Sequence, residues 1–150
     1  MTKIIVDTNI IFSALLNTNS RIGQILINGN RYCFFFAPEY IRFEIFKYKE
    51  KIKNLGNFTD YDFFESYELI IRNITILNHA LIPNRIYQKA ELLCENIDID
   101  DTAFVAVSDY IMGWLWTGDK KLINGLKNNN YKRIITTEQL YEDFILKHKL

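Results

Sequence analysis

Continuous apolar runs alternate with segments of helical repeat along this chain of 150 residues. The predicted strands cover positions 4–6, 32–36, 74–77 and 133–136, and 112–117 is a turn into a further short strand. Apolar runs of this length are typical of strands that are buried on both faces of a parallel sheet. Because strands and helices alternate throughout, we predict one α/β domain with a mainly parallel sheet, spanning residues 1–150.

Local signals place the helices that connect these strands. Ser20 is suited to cap a helix, Pro38 suits the first turn of another, and Thr137 precedes the last. The predicted helices cover residues 10–16, 21–27, 38 to the break at 55–57, 60–71, 84–95, 102–108 and 120–127, with a final one from about 138.

The helix predicted from Pro38 carries an acid in an unusual place. Its apolar stripe is formed by Ile41, Ile45, Tyr48 and Ile52. Glu44 falls on this same stripe instead of the solvent-facing side. A carboxylate on a core-facing side is a costly choice unless it has a partner. Glu44 is therefore a candidate functional residue, although a buried ion pair with an arginine would also explain it.

Composition limits the classes of function. Lysine plus arginine equals aspartate plus glutamate, 18 each, so no bulk positive charge indicates a nucleic-acid-binding protein. Cys33 and Cys94 lack the spacing of metal ligands, which favours reduced thiols in the core of a cytoplasmic protein. The first residues are typical of a core strand and not of a signal peptide, and no apolar run is long enough to cross a membrane.

Three further acids share the position that follows a strand or begins a helix. Asp7 follows the first strand, Asp119 follows the fourth, and Asp101 begins the helix over 102–108. The carboxyl ends of parallel strands and the starts of the following helices open on one edge of the sheet, where ligands bind in this fold class. We therefore expect Asp7, Glu44, Asp101 and Asp119 to converge on one pocket.

Converging carboxylates raise each other's pKa and need a positive partner. Oxygen ligands without histidine or cysteine favour Mg²⁺ or Mn²⁺, as one or two ions. Two such ions about 3.5–4 Å apart would bind a phosphodiester and activate water. Metal ions also neutralise phosphate charge, so a chain of zero net charge can still act on nucleic acid.

Simpler roles compete for three of these acids. Asp7, Asp101 and Asp119 each stand where a carboxylate caps a helix. Asp98 and Asp100 lie beside Asp101, and the three cannot all be ligands. Asp101 is favoured because Phe104 and Val105, at i+3 and i+4, place it on the core-facing side of its helix; Asp98 is the next candidate.

Four short motifs occur in a fixed order. They are Ile5-Val6-Asp7-Thr8-Asn9, then Arg42-Phe43-Glu44-Ile45, then Asp101-Thr102-Ala103-Phe104-Val105-Ala106, and Thr117-Gly118-Asp119-Lys120-Lys121-Leu122. Together they resemble the PIN-domain nucleases, and among them the toxin ribonucleases of bacterial toxin–antitoxin pairs.

The resemblance implies a PIN-like α/β/α fold of three layers and an endoribonuclease that leaves 5′-phosphate and 3′-hydroxyl ends. It implies that Asp7, Glu44, Asp101 and Asp119 hold the Mg²⁺ or Mn²⁺, and that Thr8, Asn9 and Thr117 support them. The implied partners are an RNA substrate, an antitoxin protein and a second copy of the chain.

The sequence is also compatible with other interpretations of the function and of the aromatic residues. A PIN-like module that binds RNA or protein without cutting is one alternative. A phosphorylated receiver domain is another, but it needs an acidic pair after the first strand and only Asp7 is present. Phe63, Phe64 and Tyr67 would form either a dimer or antitoxin surface or part of the core.

Basic residues and histidines give weaker signals. The lysines at 47, 49, 51 and 53 cover several faces of one helix and are expected to be solvated. Lys120 and Lys121 follow Asp119 and are candidates for phosphate contacts. His79 and His148 lack partners for a catalytic site and are expected at the surface.

Overall fold

The five strands form one parallel sheet, as the apolar runs predict. The computed structural model describes residues 1–146, without the side chains at 144 and 145. The strands are β1 (Thr2–Val6), β2 (Cys33–Pro38), β3 (Ile74–Leu77), β4 (Trp114–Trp116) and β5 (Ile134–Ile135). Their order is β3-β2-β1-β4-β5, and every neighbouring pair is parallel. The order reverses at β1, so the crevice expected at a switch point lies at its carboxyl end.

Helices cover both faces of this sheet. The structure has α1 (Thr8–Leu16), α2 (Arg21–Asn28), α3 (Tyr40–Lys47), α4 (Lys49–Gly56), α5 (Asp60–Ile71), α6 (Asn84–Cys94), α7 (Thr102–Ile111), α8 (Lys120–Asn128) and α9 (Thr137–Leu140). Helix α1 contacts α2, α3, α4 and α5, whereas α7 packs on β1, β2 and β4 with α6 behind it. Because crossovers are right-handed, the two groups lie on opposite faces. The α/β fold prediction is confirmed.

The central strand is buried because it carries an uninterrupted apolar run. Ile4, Ile5 and Val6 are fully buried between the two helical layers. Trp116 in β4 is equally buried, and its ring lies 6.2 Å from that of Phe35 in β2. Cys33 and Cys94 are buried free thiols. No helix within residues 1–146 has the length and apolar character that crossing a membrane requires.

The helix predicted from Pro38 is wrong in two respects. Pro38 is the last residue of β2, opposite Leu77 of β3, and the helix begins only at Tyr40. A proline is tolerated at this position because the next residue, Glu39, donates its N–H to the Leu77 carbonyl (3.0 Å). The helix also breaks at Tyr48, whose backbone (φ −99°, ψ 9°) leaves the helical range before α4 begins. Tyr48 is therefore 37% exposed and lies outside the core stripe.

The end of the described chain also differs from the prediction. Strand β5 has two residues in place of four, and Thr136 caps the last helix instead of Thr137. Thr136 is extended (φ −91°, ψ 165°), and its hydroxyl accepts the N–H of Gln139, whose side chain accepts the N–H of Thr136. Thr136 and Gln139 thus form a capping box one residue earlier. His79 is exposed, as expected, and His148 lies outside the described residues.

The aromatic residues of α5 divide between core and surface. Phe63 and Tyr67 are buried, which confirms core packing for these two. Phe64 is 42% exposed and lies 6.1 Å, ring to ring, from the equally exposed Phe46 of α3. Of these three aromatic residues of α5, only Phe64 is therefore exposed at the surface.

Candidate active site

Asp7 is the buried centre of the site. It follows β1 at the point where the strand order reverses, and only 3% of it is exposed. The Thr117 hydroxyl donates to Asp7 Oδ2 (2.7 Å), and the Asp7 N–H donates to the Trp116 carbonyl (3.1 Å). Asp7 precedes α1 but makes no side-chain capping bond to it. These contacts hold its carboxylate at the carboxyl edge of the sheet.

Glu44 is held by the residue that follows Asp7. The Thr8 hydroxyl at the start of α1 donates to Glu44 Oε1 on α3 (2.9 Å). Glu44 is half-buried, as its position on the apolar stripe predicts, and the structure gives it a hydroxyl partner instead of an arginine. Consecutive residues at the end of β1 therefore supply one carboxylate and orient a second.

Asp119 caps a helix and also lies where the fourth strand ends, at the carboxyl edge of the sheet. Its Oδ1 accepts the N–H groups of Lys121 (2.9 Å) and Leu122 (3.2 Å), so it caps α8. Its own N–H donates to the Thr117 hydroxyl (3.1 Å). Thr117 thus connects Asp7 to Asp119, and the cap fixes the direction of the Asp119 carboxylate toward the same edge.

The acidic run at 98–101 divides its roles. Asp98 Oδ1 accepts the N–H of Asp100 (3.0 Å) and caps the 3-10 turn Ile99–Asp101. Asp101 precedes α7, is half-buried and makes no side-chain capping bond. The Asp101 carboxylate therefore makes no hydrogen bond that caps α7, whereas the Asp98 carboxylate caps the turn before it.

These acids line a single cleft of about 300 Å³. The structure brings Asp7, Glu44, Asp101 and Asp119 together there, and Asp98 and Asp100 line it as well. Among the supporting residues, Thr8 and Asn9 line the cleft, and Thr117 reaches it through Asp7 and Asp119. A larger cavity of about 420 Å³ lies at α2, beside Arg21 and Arg31, but no acidic residue lines it, so it offers no carboxylate ligand.

Burial and mutual repulsion raise the pKa values of three of these acids. Burial, followed by repulsion from Asp7, raises the pKa of Asp101 to about 8. Burial also raises the pKa of Asp7, against the opposing hydrogen bond from Thr117. The pKa of Glu44 is raised by burial, with a smaller contribution from Asp7 and an opposing hydrogen bond from Thr8. The cleft is thus a site of unbalanced negative charge, which a cation would relieve.

The donor set fits a hard divalent cation in its chemistry. All candidate donors are carboxylate, hydroxyl or amide oxygens, and the lining residues include no histidine or cysteine. Among the described residues, no three acid, histidine or cysteine side chains stand close enough together to hold one ion as placed. Binding would therefore draw the carboxylates of the cleft toward each other.

Three residues that line the cleft are not among the functional residues predicted from the sequence. Phe12, Tyr48 and Lys51 complete its lining. The sequence places Tyr48 on the core-facing stripe because no glycine or proline marks the helix break, and it places Lys51 on the solvated surface. Lys120 and Lys121, the sequence candidates for phosphate contacts, are exposed at the start of α8 and do not line the cleft.

Comparison with known proteins agrees with this architecture. No curated protein matches the chain at a significant level. The family model of the PIN domain matches residues 5–140. This range contains all of the acids of the cleft, the carboxyl end of β1 and the other four strands. The chain therefore belongs to the PIN-domain family, whose members are generally metal-dependent nucleases.

Proposed function

We propose that this protein is a metal-dependent endoribonuclease whose catalytic residues and metal ligands are Asp7, Glu44, Asp101 and Asp119. The observation that carries the proposal is the convergence of these acids, from four separate elements, on one cleft at the carboxyl edge of the sheet. Helix capping alone does not explain Asp101, because its side chain makes no capping hydrogen bond although burial and neighbouring acids raise its pKa to about 8. RNA is the proposed substrate, by resemblance to the toxin ribonucleases of the family.

The chain's own residues position the site. The Thr117 hydroxyl donates a hydrogen bond to Asp7 and accepts one from the Asp119 N–H. The Thr8 hydroxyl donates to Glu44, so these carboxylates are oriented before any ligand binds. Bound Mg²⁺ or Mn²⁺ would supply Lewis acidity, neutralise phosphate charge and lower the pKa of water. No histidine lines the described cleft, so none is available there as a general base.

Substitution of two acids tests the proposal. Asp7→Asn and Asp119→Asn keep the shape of each side chain and remove its charge, so RNA cleavage with Mn²⁺ should be lost. Asp109→Asn is the matched control, because Asp109 is a half-buried acid that pairs with Arg133 (3.6 Å) and Lys89 (3.7 Å) outside the cleft. Undiminished turnover by the Asp7 and Asp119 variants would reject the assignment.

A binding module without catalysis is the second candidate function. It is favoured because, within residues 1–146, no three acid, histidine or cysteine side chains already stand close enough together to hold one ion. Titration calorimetry separates the two. The nuclease requires Mg²⁺ or Mn²⁺ binding that Asp7→Asn weakens, whereas RNA binding with no measurable metal binding would support the module.

We also propose that the protein is the toxin of a toxin–antitoxin pair, acts in the cytoplasm and forms a homodimer. The toxin role is supported by the resemblance of the four motifs to those of the toxin ribonucleases. The buried free thiols of Cys33 and Cys94 support a reducing compartment. The exposed Phe46 and Phe64 offer an aromatic surface for a second copy or an antitoxin.

Expression tests the toxin role. The wild-type chain should arrest bacterial growth, and Asp7→Asn should not. Normal growth with the soluble, cleavage-competent wild-type protein would overturn the toxin proposal and leave the nuclease standing.

A further inference from the structure

The lining of the acidic cleft is not acidic throughout. Beside its six carboxylates, Thr8 and Asn9, the cleft is lined by Phe12 from α1, Tyr48 at the junction of α3 and α4, and Lys51 from α4. These three residues, here called the lip, combine an aromatic pair with a cation. Aromatic rings and cations together are the groups that bind the bases and phosphates of unpaired nucleic acid.

Tyr48 is presented at the cleft by the helix break. Its backbone leaves the helical range between α3 and α4, and 37% of the residue is exposed. The Phe12 ring packs against the Tyr48 ring at 67° with centroids 5.6 Å apart, which restricts the orientation of the tyrosine. Tyr48 is therefore an oriented, partly exposed ring at the rim of the cleft, and a base that stacks on it would compete with the Lys47 ammonium, which lies 5.4 Å from the ring centroid.

Lys51 is the cation that faces the cleft from α4. It lies three residues after Tyr48, and both residues line the cleft. Its neighbours Lys49 and Lys53 are held by Asp60 at 3.2 and 2.7 Å, on the opposite side of α4 from the cleft lining. Within residues 1–146, Lys51 makes no ion pair, although six carboxylates line the same cleft. Its ammonium group is thus available to a phosphate.

We propose that the lip positions the RNA for cleavage, with Tyr48 stacking a base next to the scissile phosphate and Lys51 pairing with an adjacent phosphate. This inference rests on the proposed nuclease function and adds two positioning residues to it. A base can stack on Tyr48 only when it is out of a helix, so the lip selects an unpaired nucleotide at the cut.

Binding and turnover of a defined probe test the lip. The probe is a short fluorescein-labelled single-stranded RNA of mixed sequence, alone or annealed to its complement, with Mg²⁺ or Mn²⁺ present. Binding is measured on proteins that also carry Asp119→Asn, so that the probe is not cut, and turnover is measured without this substitution. Tyr48→Ala should weaken binding of the single strand, and raise its KM, by about 5- to 100-fold with a smaller change in kcat. Duplex binding, which is weaker, should change little. Tyr61→Ala is the control, because Tyr61 is 75% exposed on α5 outside the cleft.

The salt dependence of binding tests Lys51 separately. Loss of one phosphate contact reduces the slope of log affinity against log salt by about 0.7 for a single strand. Lys51→Met should show this reduction and Lys51→Arg should not. Lys132→Met is the control, because Lys132 is an exposed lysine that precedes β5 at the opposite edge of the sheet. A lysine that merely supports the fold would not change the slope.

The outcomes separate this inference from the proposed function. If the wild type cleaves RNA and Asp7→Asn does not, but the lip variants behave like Tyr61→Ala and Lys132→Met, the lip proposal is wrong and the nuclease stands. Equal cleavage of the single strand and the duplex would also overturn it. If the wild type neither binds nor cleaves RNA, both proposals fail.

Discussion

Replacement of Asp101 by asparagine should stabilise the metal-free protein at alkaline pH while it removes nuclease activity. Asp101 carries a charge that the folded state disfavours, since its pKa is raised from 3.8 to about 8 by burial and by repulsion from Asp7. Asparagine keeps the shape of the side chain, and no capping hydrogen bond is lost because Asp101 makes none. The variant therefore isolates the electrostatic cost of one carboxylate in the cleft.

The magnitude follows from proton linkage. The unfolded chain loses the Asp101 proton near pH 3.8 and the folded protein near pH 8, so the folded state binds more protons in between. The unfolding free energy should therefore fall as pH rises through this window, by at most about 6 kcal/mol at about 1.4 kcal/mol per pH unit. Asp101 is only half-buried, and discounting for solvent screening leaves about 2–3 kcal/mol.

Urea unfolding in the presence of EDTA measures this cost. At pH 8, Asp101→Asn should be more stable than the wild type by about 2–3 kcal/mol, and at pH 5 by about half to two-thirds of that. Asp109→Asn is a control of opposite sign, because loss of its pairing with Arg133 should destabilise the protein by about 0.2–1 kcal/mol. An Asp101 variant that is less stable than the wild type at pH 8, or equally changed at both pH values, would refute the reasoning.

Three further predictions concern the support of the site and the packing beneath it. Thr117→Val removes the 2.7 Å hydrogen bond to Asp7 and should lower metal affinity by about 10- to 100-fold in calorimetry, whereas Thr117→Ser should not. Gly113→Ala places a Cβ 2.5 Å from Ile5 Cδ1 and should cost about 1–3 kcal/mol in urea unfolding, whereas Gly118→Ala, with no atom within 4 Å, should not. Mg²⁺ affinity should fall as pH decreases from 8 to 6, because raised pKa values favour protonated carboxylates; a flat profile would contradict this.

The sequence predicts the strands well because their apolar runs are buried on both faces. It also predicts that the acids meet, because Asp7 and Asp119 follow adjacent parallel strands and Asp101 begins a helix. Glu44 is predicted as a functional residue because it falls on the apolar stripe of its helix. All of these signals depend on the nearest few residues and on the parallel arrangement of the sheet.

Other features depend on contacts between distant parts of the chain. Pro38 looks like a helix start, but pairing of β2 with Leu77 of β3 extends the strand through it. The break at Tyr48 follows no glycine or proline, so neither the tyrosine's exposure nor its place beside Phe12 is visible in the sequence. In the sequence, Lys51 cannot be distinguished from Lys49 and Lys53. Only the structure shows that those two lysines pair with Asp60 and that Lys51 does not.

The buried thiols provide an internal reporter of opening motions. Cys33 lies in β2 and Cys94 ends α6, and burial raises the pKa of each to about 11. An alkylating reagent reacts with thiolate that it can reach, so labelling of either cysteine must wait until its surroundings open. Because the two residues belong to different layers of the molecule, their separate labelling rates would reveal whether the sheet and the outer helix open together or in succession.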